Sequence, residues 1–415
     1  MKRYLVGGAV RDELLGLPVK ERDWVVVGAT PEDMVAAGYR PVGRDFPVFL
    51  HPQTKEEHAL ARTERKSGRG YHGFTFHTGR EVTLEDDLRR RDLTVNAIAR
   101  AEDGTLTDPY GGRRDLEARV LRHVSEAFLE DPVRILRVAR FHARFAPLGF
   151  TLAPGTLALM RAMVGSGEVD HLVPERVWQE MQRALMESQP STFFATLRDC
   201  GALARVLPEL DALFGVPQRA EYHPEVDSGV HSLMCVDQAA RVQATLPVRL
   251  SALLHDLGKG ATPQHEWPSH KLHDVRGIPL IEQVADRLKL PNECRELCVL
   301  HTREHLVVHQ ALVLRPSTLL ELLERMGGLK KGPRFEQVLS ACECDAHGRK
   351  GLEDAPYPQT GYLRDAAAEA GKVQAGEVVA AGFSGEAVGV ELRRRRLERL
   401  QRWVEARRGA SQEQQ

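Results

Sequence analysis

Leu5-Val6-Gly7-Gly8-Ala9-Val10-Arg11-Asp12, followed by Glu21-Arg22-Asp23-Trp24-Val25-Val26-Val27, carries the pattern of a strand, a glycine turn, a helix and a second strand headed by acids. Tyr4-Leu5-Val6 is apolar and β-prone, and it runs into two glycines. Glycine lets a backbone come close to a ligand, and a helix N-terminus offers free N–H groups to an anion. Arg11, one turn into the helix, can reach the same anion. Side chains alternate along a strand, so Glu21 and Asp23 share a face. Two like charges on one face call for a cation, and a hard ion such as Mg²⁺ prefers oxygen ligands. Taken alone, the glycines fit a plain tight turn as well, and the acids fit an exposed strand edge as well.

Outward from this stretch, the first 110 or so residues hold the remaining strand signals. Pro47–His51 and His58–Ala61 flank the turn-like Pro52-Gln53-Thr54, which suggests a hairpin. Beyond about residue 115 the apolar residues recur at helical spacing, as in Val133-Ile135-Leu136-Val138-Ala139 and Trp178-Met181-Leu185, and no strong strand follows. Pro208 to Pro224, rich in turn formers, reads as a linker. The expected fold class is α+β, a small mixed-sheet head followed by an all-α body. With 57 basic and 58 acidic residues the net charge of −1 does not mark a nucleic-acid binder. The basic residues are clustered, however, at Arg62-Arg65-Lys66-Arg69, Arg89–Arg91, Arg134-Arg137-Arg140-Arg144 and Arg393–Arg396, and local charge is what contacts phosphate. Six scattered cysteines show no metal-finger spacing and read as reduced thiols. The apolar run after Met1-Lys2-Arg3 is too short for an export signal, and no segment approaches the ~20 apolar residues of a membrane span. A cytoplasmic protein, monomer or homodimer, is expected.

Five further motifs follow in order. They are Arg90-Arg91-Asp92-Leu93-Thr94-Val95-Asn96-Ala97; Asp108-Pro109-Tyr110 with Gly112, Asp115 and Leu116; Glu130-Asp131-Pro132-Val133-Arg134; Arg137 with Arg140 and Phe141; and Pro174-Glu175-Arg176. With the opening stretch, this series resembles the class II tRNA nucleotidyltransferases of the DNA polymerase β-like superfamily, over roughly residues 1–385. The resemblance implies that a tRNA 3′ hydroxyl attacks the α-phosphorus of CTP or ATP and releases pyrophosphate. It assigns two Mg²⁺ ions to Glu21 and Asp23 and the triphosphate to Gly8, Arg11 and Arg91. It gives Asp131 and Arg134 to the base edge, and Arg137 and Arg140 to the nucleotide generally. Asp92 and Asn96 are expected to be structural or sugar-contacting. The superfamily's pair is commonly Asp-x-Asp; Glu21 is one methylene longer and keeps the oxygen donor. Glu64 is the candidate third carboxylate. On residue chemistry alone, Asp131 before Pro132 is equally an ordinary helix cap.

His255-Asp256, closing the apolar run Leu250–Leu254 and preceding Leu257-Gly258-Lys259-Gly260, resembles the centre of an HD phosphohydrolase domain. His231 is the expected upstream ligand. An adjacent His and Asp at a helix end can share one metal, or two metals with a bridging water. His270 and His273, then His301, His305 and His309, lie downstream, and no closing acidic ligand is evident after His301, which leaves one metal ion as an alternative to two. Imidazole donors suit a transition metal such as Ni²⁺. The resemblance implies phosphatase, 2′,3′-cyclic phosphodiesterase and 2′-nucleotidase activities. The expected domains are a nucleotidyltransferase head at 1–115, a helical neck and body at 116–222, an HD domain at 228–329 and a helical tail at 330–415. Two other functions fit parts of this pattern: a poly(A) polymerase built on the same head, and an HD phosphohydrolase whose head only binds RNA. The short tail and the HD module argue against the first, and the acid pair against the second.

Overall fold

The computed structural model describes residues 1–42, 48–66, 74–330 and 332–412, in two compact units, Met1–Val206 and Leu207–Gln415. The strands of the first unit are β1 (Lys2–Val6), β2 (Asp23–Val27), β3 (Arg40–Pro41), β4 (Val48–Leu50), β5 (Glu57–Leu60), β6 (Arg62–Lys66), β7 (Phe74–Thr78), β8 (Ala99–Ala101), β9 (Leu106–Thr107), β10 (Val120–Leu121) and β11 (Thr151–Leu152). Seven of them form one sheet in the order β3-β4-β5-β2-β1-β8-β9. It is mixed: β2 runs parallel to β5 and antiparallel to β1. The expected hairpin is present, with Phe49 opposite His58 across β4 and β5. Alternation along β2 sends Val25 to a core with Val6, Ala61, Leu88 and Ala99. Val26 faces the other side, with Met34, Tyr39, Phe49 and Leu60. Both faces of this strand are therefore buried, which is why its sequence is a continuous β-branched run rather than an alternating one.

The register does more than fill a core. Val6, the last residue of β1, pairs with Asp23, the first of β2. The turn at Gly7-Gly8 and the acidic entry to β2 thus emerge side by side at one end of the sheet.

The remainder of the first unit is helical, with one exception. β10 and β11 form a two-residue parallel pair, Val120 with Thr151 and Leu121 with Leu152. Each is too short for a period-2 pattern, so the expectation of an all-α chain after residue 115 fails at this pair.

The second unit is helical. Pro208–Pro224, read as a linker, is packed into it. Leu207, Leu210, Leu213 and Val216 are each 4% exposed or less, and Pro217 bridges to Asp227. Their spacing of three residues was the overlooked signal; the prolines and glycine between them masked it. The helices Ser228–Arg241, Leu246–Leu254 and Arg334–His347 meet at a small core of Cys235, Ala239, Ala252 and Cys344. All six cysteines are free and buried. The Arg393–Arg395 run is spent on acids, pairing with Glu321, Glu324, Glu391 and Glu398. Among the described residues no helix is long and apolar enough to cross a membrane.

The short helix Leu257–Gly260 touches the helix His273–Leu288 backbone to backbone. A Cβ on Gly258 would lie 1.9 Å from the His273 carbonyl oxygen and 2.7 Å from the Gly277 nitrogen. Gly258→Ala should therefore lower the unfolding free energy of the second unit by ~1–3 kcal/mol or more, the usual cost of overpacking. Gly361→Ala, in a helix with open space around the position, should be neutral or stabilising by up to ~1 kcal/mol. Urea midpoints of the two variants check this; equal shifts would contradict the close approach.

Candidate functional site

Gly7 has φ +67° and ψ −129°, a conformation that L side chains rarely adopt. A Cβ there would also sit 2.9 Å from Nη1 of Arg91. Arg91 is held in this position by Asp87, to which it donates at 3.1 Å, and by the Asn96 carbonyl at 3.4 Å. Burial alone would push the Asp87 carboxyl up, but Arg90 and Arg91 outweigh it and keep the group below its ordinary value. Beside the turn, loss of water raises the Asp23 carboxyl. The charge of Glu21 pushes the same way and Arg91 opposes both. Two acids, Glu21 and Asp23, beside the glycine turn and Arg91 fit a hard divalent cation. The side chain of Glu64 lies outside the described residues.

Arg11, read as a phosphate ligand, is only 2% exposed. It donates from Nε to Asp12 at 2.8 Å and from Nη1 to Asn96 at 2.5 Å, and it lies about 5 Å from the ring centres of Phe141 (5.1 Å) and Phe145 (4.9 Å). A Cβ on Gly8 would meet its Nη2 at 3.4 Å. The guanidinium therefore underlies Gly8 and is fixed from behind by protein partners.

Arg134, Arg137 and Arg140 project from the helix Val133–Phe145. Arg137 donates to Asp92 at 2.8 Å, Arg140 donates to Glu180 at 2.6 Å, and Arg134 donates to the Ala127 carbonyl at 2.7 Å. Asp92 also accepts from the Leu93 amide and from Asn96 Nδ2, so both Asp92 and Asn96 build the frame here. Asp131 accepts from the Val133 amide at 3.1 Å, the capping contact read from the sequence. Its carboxylate is in addition gripped by both terminal nitrogens of Arg176, at 3.2 and 2.7 Å. Arg176 and Glu180, one turn apart on the helix Pro174–Leu185, are thus partners of the expected nucleotide-reading residues. The Pro-Glu-Arg element containing Arg176 was legible, but its partner was not.

In the second unit His231, His255 and Asp256 converge as expected, all 1% exposed or less. Their missing acid is Asp345, on the helix Arg334–His347. His231 Nε2 is 3.1 Å from Asp345 Oδ1 and 3.8 Å from Asp256 Oδ2. His255 Nε2 is 3.3 Å from Asp256 Oδ2 and 3.7 Å from Asp345 Oδ2. His255 Nε2 has no hydrogen-bond partner although it is buried. Its Nδ1 lies 2.9 Å from the Ala252 carbonyl, which can only accept, so Nε2 carries the bare lone pair. Glu225 lies 3.0 Å from His231 Nδ1 and fixes that ring in the same sense. An orphaned imidazole nitrogen among two carboxylates and a second imidazole fits a transition-metal ion. Cys235 lies close enough to belong to this group, but burial pushes its thiol up, which leaves Asp256 the better ligand. Burial opposes ionisation of both acids too. His255 and Lys259 at Asp256, and His255 and His309 at Asp345, hold them well below the carboxylate range. A cavity of about 800 Å³ reaches this centre, lined among others by Lys259, His309, Arg349 and Tyr357.

Residues 3–122 match the family described as Poly A polymerase head domain, 149–214 that of the probable RNA and SrmB-binding site of polymerase A, and 229–327 the HD domain. The multifunctional CCA protein of Alkalilimnicola ehrlichii is 63% identical over 400 residues, 96% of this chain and 97% of that protein. The one from Nitrosococcus oceani is 58% identical over 99% of this chain and the whole of its own. This chain belongs to the multifunctional CCA protein family. Its fold is also that of solved CCA-adding enzymes. One apo form superposes with a TM-score of 0.65 at 20% identity, over 96% of this chain and 88% of that one. The Thermotoga maritima enzyme complexed with tRNA gives 0.62 at 20% identity, over 96% and 87%.

For this family member, residues outside the HD-matched span 229–327 also meet the buried His-Asp cluster: Asp345 after it, Gln218 and His223 from the segment read as a linker, and Glu225 just past that segment. A signal for Asp345 existed: it lies on the same helical face as buried Val338, Ala341 and Cys342, where a carboxylate is out of place. Without a structure, nothing connected that oddity to His255.

Burial drives the imidazole of His301, adjacent to this centre, down to about 3. The native state keeps it neutral while the unfolded chain takes up a proton below ~6.5. Its contribution to stability is thus fully present above pH 6.5 and drains away as pH falls toward 3, at ~1.4 kcal/mol per unit. Urea midpoints of the metal-free protein should fall through that window, and less steeply in His301→Gln. An equal slope in the variant would assign the acid sensitivity elsewhere.

Proposed function

We propose that this chain adds and repairs the 3′-terminal CCA of tRNA, using CTP and ATP without a nucleic-acid template, in the cytoplasm. We further propose that its HD centre hydrolyses phosphoesters as a phosphatase, 2′,3′-cyclic phosphodiesterase and 2′-nucleotidase. The observation carrying the first part is the juxtaposition of Asp23 and the Gly7-Gly8 turn by the β1–β2 register, in a chain similar along nearly its whole length to proteins named for CCA. Solved relatives bound to CTP, to ATP and to tRNA share the fold.

In this reading Glu21 and Asp23 hold Mg²⁺, which supplies activation of the attacking hydroxyl and charge neutralisation at the leaving oxygen. Phosphoryl transfer asks the protein mainly for positioning. Gly8 lets the backbone meet the triphosphate, Arg91 approaches across Gly7, and Arg11 supports the turn from beneath. Arg137 and Arg140 already bear the counter-ions Asp92 and Glu180, so their rotamers are set before a nucleotide arrives. In the HD centre His231, His255, Asp256 and Asp345 hold a transition metal, Ni²⁺ being the favoured ion, while Lys259 and Arg349 line the cavity that would receive a phosphate.

Given tRNA ending at the discriminator base with CTP and ATP, the protein should add three defined nucleotides. A long A-tail would point to a poly(A) polymerase, and no extension to an RNA-binding phosphohydrolase. Asp23→Ala should abolish addition and spare phosphatase activity; His255→Ala should do the reverse. Parallel loss of both in either variant would argue against two independent centres.

Base choice is assigned to Asp131 and Arg134, neighbours at i and i+3. A carboxylate accepts from the amino groups of cytosine and adenine and repels the carbonyls of uracil and guanine, while a guanidinium donates to ring acceptors. Losing one such contact costs ~1.5–3 kcal/mol, about tenfold to a hundredfold in discrimination. Asp131→Ala should admit UTP or GTP and weaken CTP and ATP, read as kcat/KM for the four nucleotides. Unchanged selectivity in both Asp131→Ala and Arg134→Ala would leave Asp131 a helix cap and partner of Arg176.

A further inference from the structure

The loop after Pro217 is tied to the HD centre at both ends and turned away from it in the middle. At its neck the Gln218 amide donates to the Val226 carbonyl at 2.7 Å, and Pro217 bridges to Asp227. Gln218 Oε1 accepts from Lys259 Nζ, the same ammonium that reaches Asp256 at 2.5 Å. On the return, His223 lies 3.1 Å from Glu225, and Glu225 lies 3.0 Å from His231 Nδ1. Between these anchors the amides of Tyr222 and His223 donate to the Arg219 carbonyl at 3.1 and 2.9 Å and close a turn. The turn displays Arg219 and Tyr222 while its flanks are locked to the side chains of the centre.

What these two residues face is a second hollow. Beside the cavity of about 800 Å³ lies an annex of about 450 Å³, lined by Gln218, Arg219, Ala220, Glu221, Tyr222 and Pro268. Gln218, Arg219, Tyr222 and Pro268 line both, so the two spaces adjoin. Tyr222 is 61% exposed, and among the described residues no ring packs on it and Arg219 has no ion pair. A large aromatic left bare on a cavity wall serves no core. Aromatic faces and guanidinium planes are the surfaces on which nucleobases stack. Arg219 adds donors and Glu221 an acceptor, the complement that a base edge requires. Deeper in, Lys259 is paired with Asp256 and Arg349 with Asp345, which places both cations beside the acids of the centre, where a phosphate would meet them.

We infer that the annex is a nucleobase subsite of the HD centre. The base of a substrate nucleotide stacks on Tyr222 beside Arg219, and its phosphate lies toward Lys259 and Arg349. The subsite selects nucleotides over other phosphoesters. This rests on the phosphohydrolase reading above and extends it to the group next to the phosphate. Arg219 and Tyr222 precede the HD-matched span 229–327, so the selectivity is carried by the segment that reads as a linker.

The test uses the full chain and two substrates: adenosine 2′-monophosphate, which carries a base, and β-glycerophosphate, which does not. Tyr222→Ala should raise KM for the nucleotide about tenfold, the size of one base–aromatic stack, with kcat nearly kept and KM for β-glycerophosphate unchanged. Tyr222→Phe keeps the ring face and should retain the parent KM. An unchanged nucleotide KM in Tyr222→Ala overturns the inference. So does an equal loss toward both substrates, which would make Tyr222 a support of the centre. Binding gives a reading that needs no turnover. The fluorescence of 2-aminopurine riboside 2′-monophosphate falls when its base stacks, and the quenching seen with the parent should weaken in Tyr222→Ala, since the head contributes equally to both proteins. If the parent hydrolyses neither substrate, the phosphohydrolase reading falls, and the quenching still decides the annex: equal quenching by the parent and Tyr222→Ala overturns the subsite.

Discussion

A carboxylate taken out of water must find partners, and in the first unit that requirement at Asp92 organises a network of contacts beside the glycine-turn end of the sheet. Asp92 is 6% exposed, and burial would neutralise it. Arg137, Asn96 and Arg134 instead keep it ionised, well below the ordinary range. From Asp92 the contacts run through Asn96 to Arg11, from Arg11 to Asp12, and from Asp12 to Arg144 at 2.8 Å. This chain ties the helix after the glycine turn to the helix Val133–Phe145. The turn and the arginine helix are therefore positioned by one network. Breaking a buried pair in it would strand a charge at a cost of about 3–5 kcal/mol.

The same constraint takes the opposite form in the second unit. There, His255 Nε2 and Asp256 Oδ1 are buried without a hydrogen-bond partner among crowded carboxylates and imidazoles. Secondary contacts aim the ligands. Glu225 steadies His231, and His309 bridges Asp345 at 2.7 Å and Tyr357 at 2.8 Å. Backbone carbonyls set the tautomers of His255, His273 and His305. A network left with an unsatisfied surplus would be destabilising without a cation, so the arrangement makes sense as a preformed cage.

The two sites differ in donor chemistry. The head offers carboxylate oxygens at a sheet end, suited to a hard ion. The helical unit offers imidazole nitrogens in a dry interior, suited to a resident transition metal. Each lies within its own compact unit, and each has its own set of counter-charges.

Much of this was legible from the chain alone. The strand, glycine turn and acids of residues 5–27, the β4–β5 hairpin and the helical body follow from local rules: side-chain alternation, glycine at positive φ and helical periodicity. His231, His255 and Asp256 were expected from the resemblance of the His255-Asp256 stretch to an HD domain. Tertiary structure alone decided what lies opposite them. The grip of Arg176 on Asp131, the counter-ion role of Glu180, the closing ligand Asp345 and the meeting of His273 with His305 join residues 32 to 114 positions apart. The folding of residues 207–227 into the second unit belongs here as well, since its three-residue apolar spacing was overridden by prolines. A sequence states which residues can carry charge or bind metal; only the packing of helices states which of them are forced, by exclusion of water, to face one another.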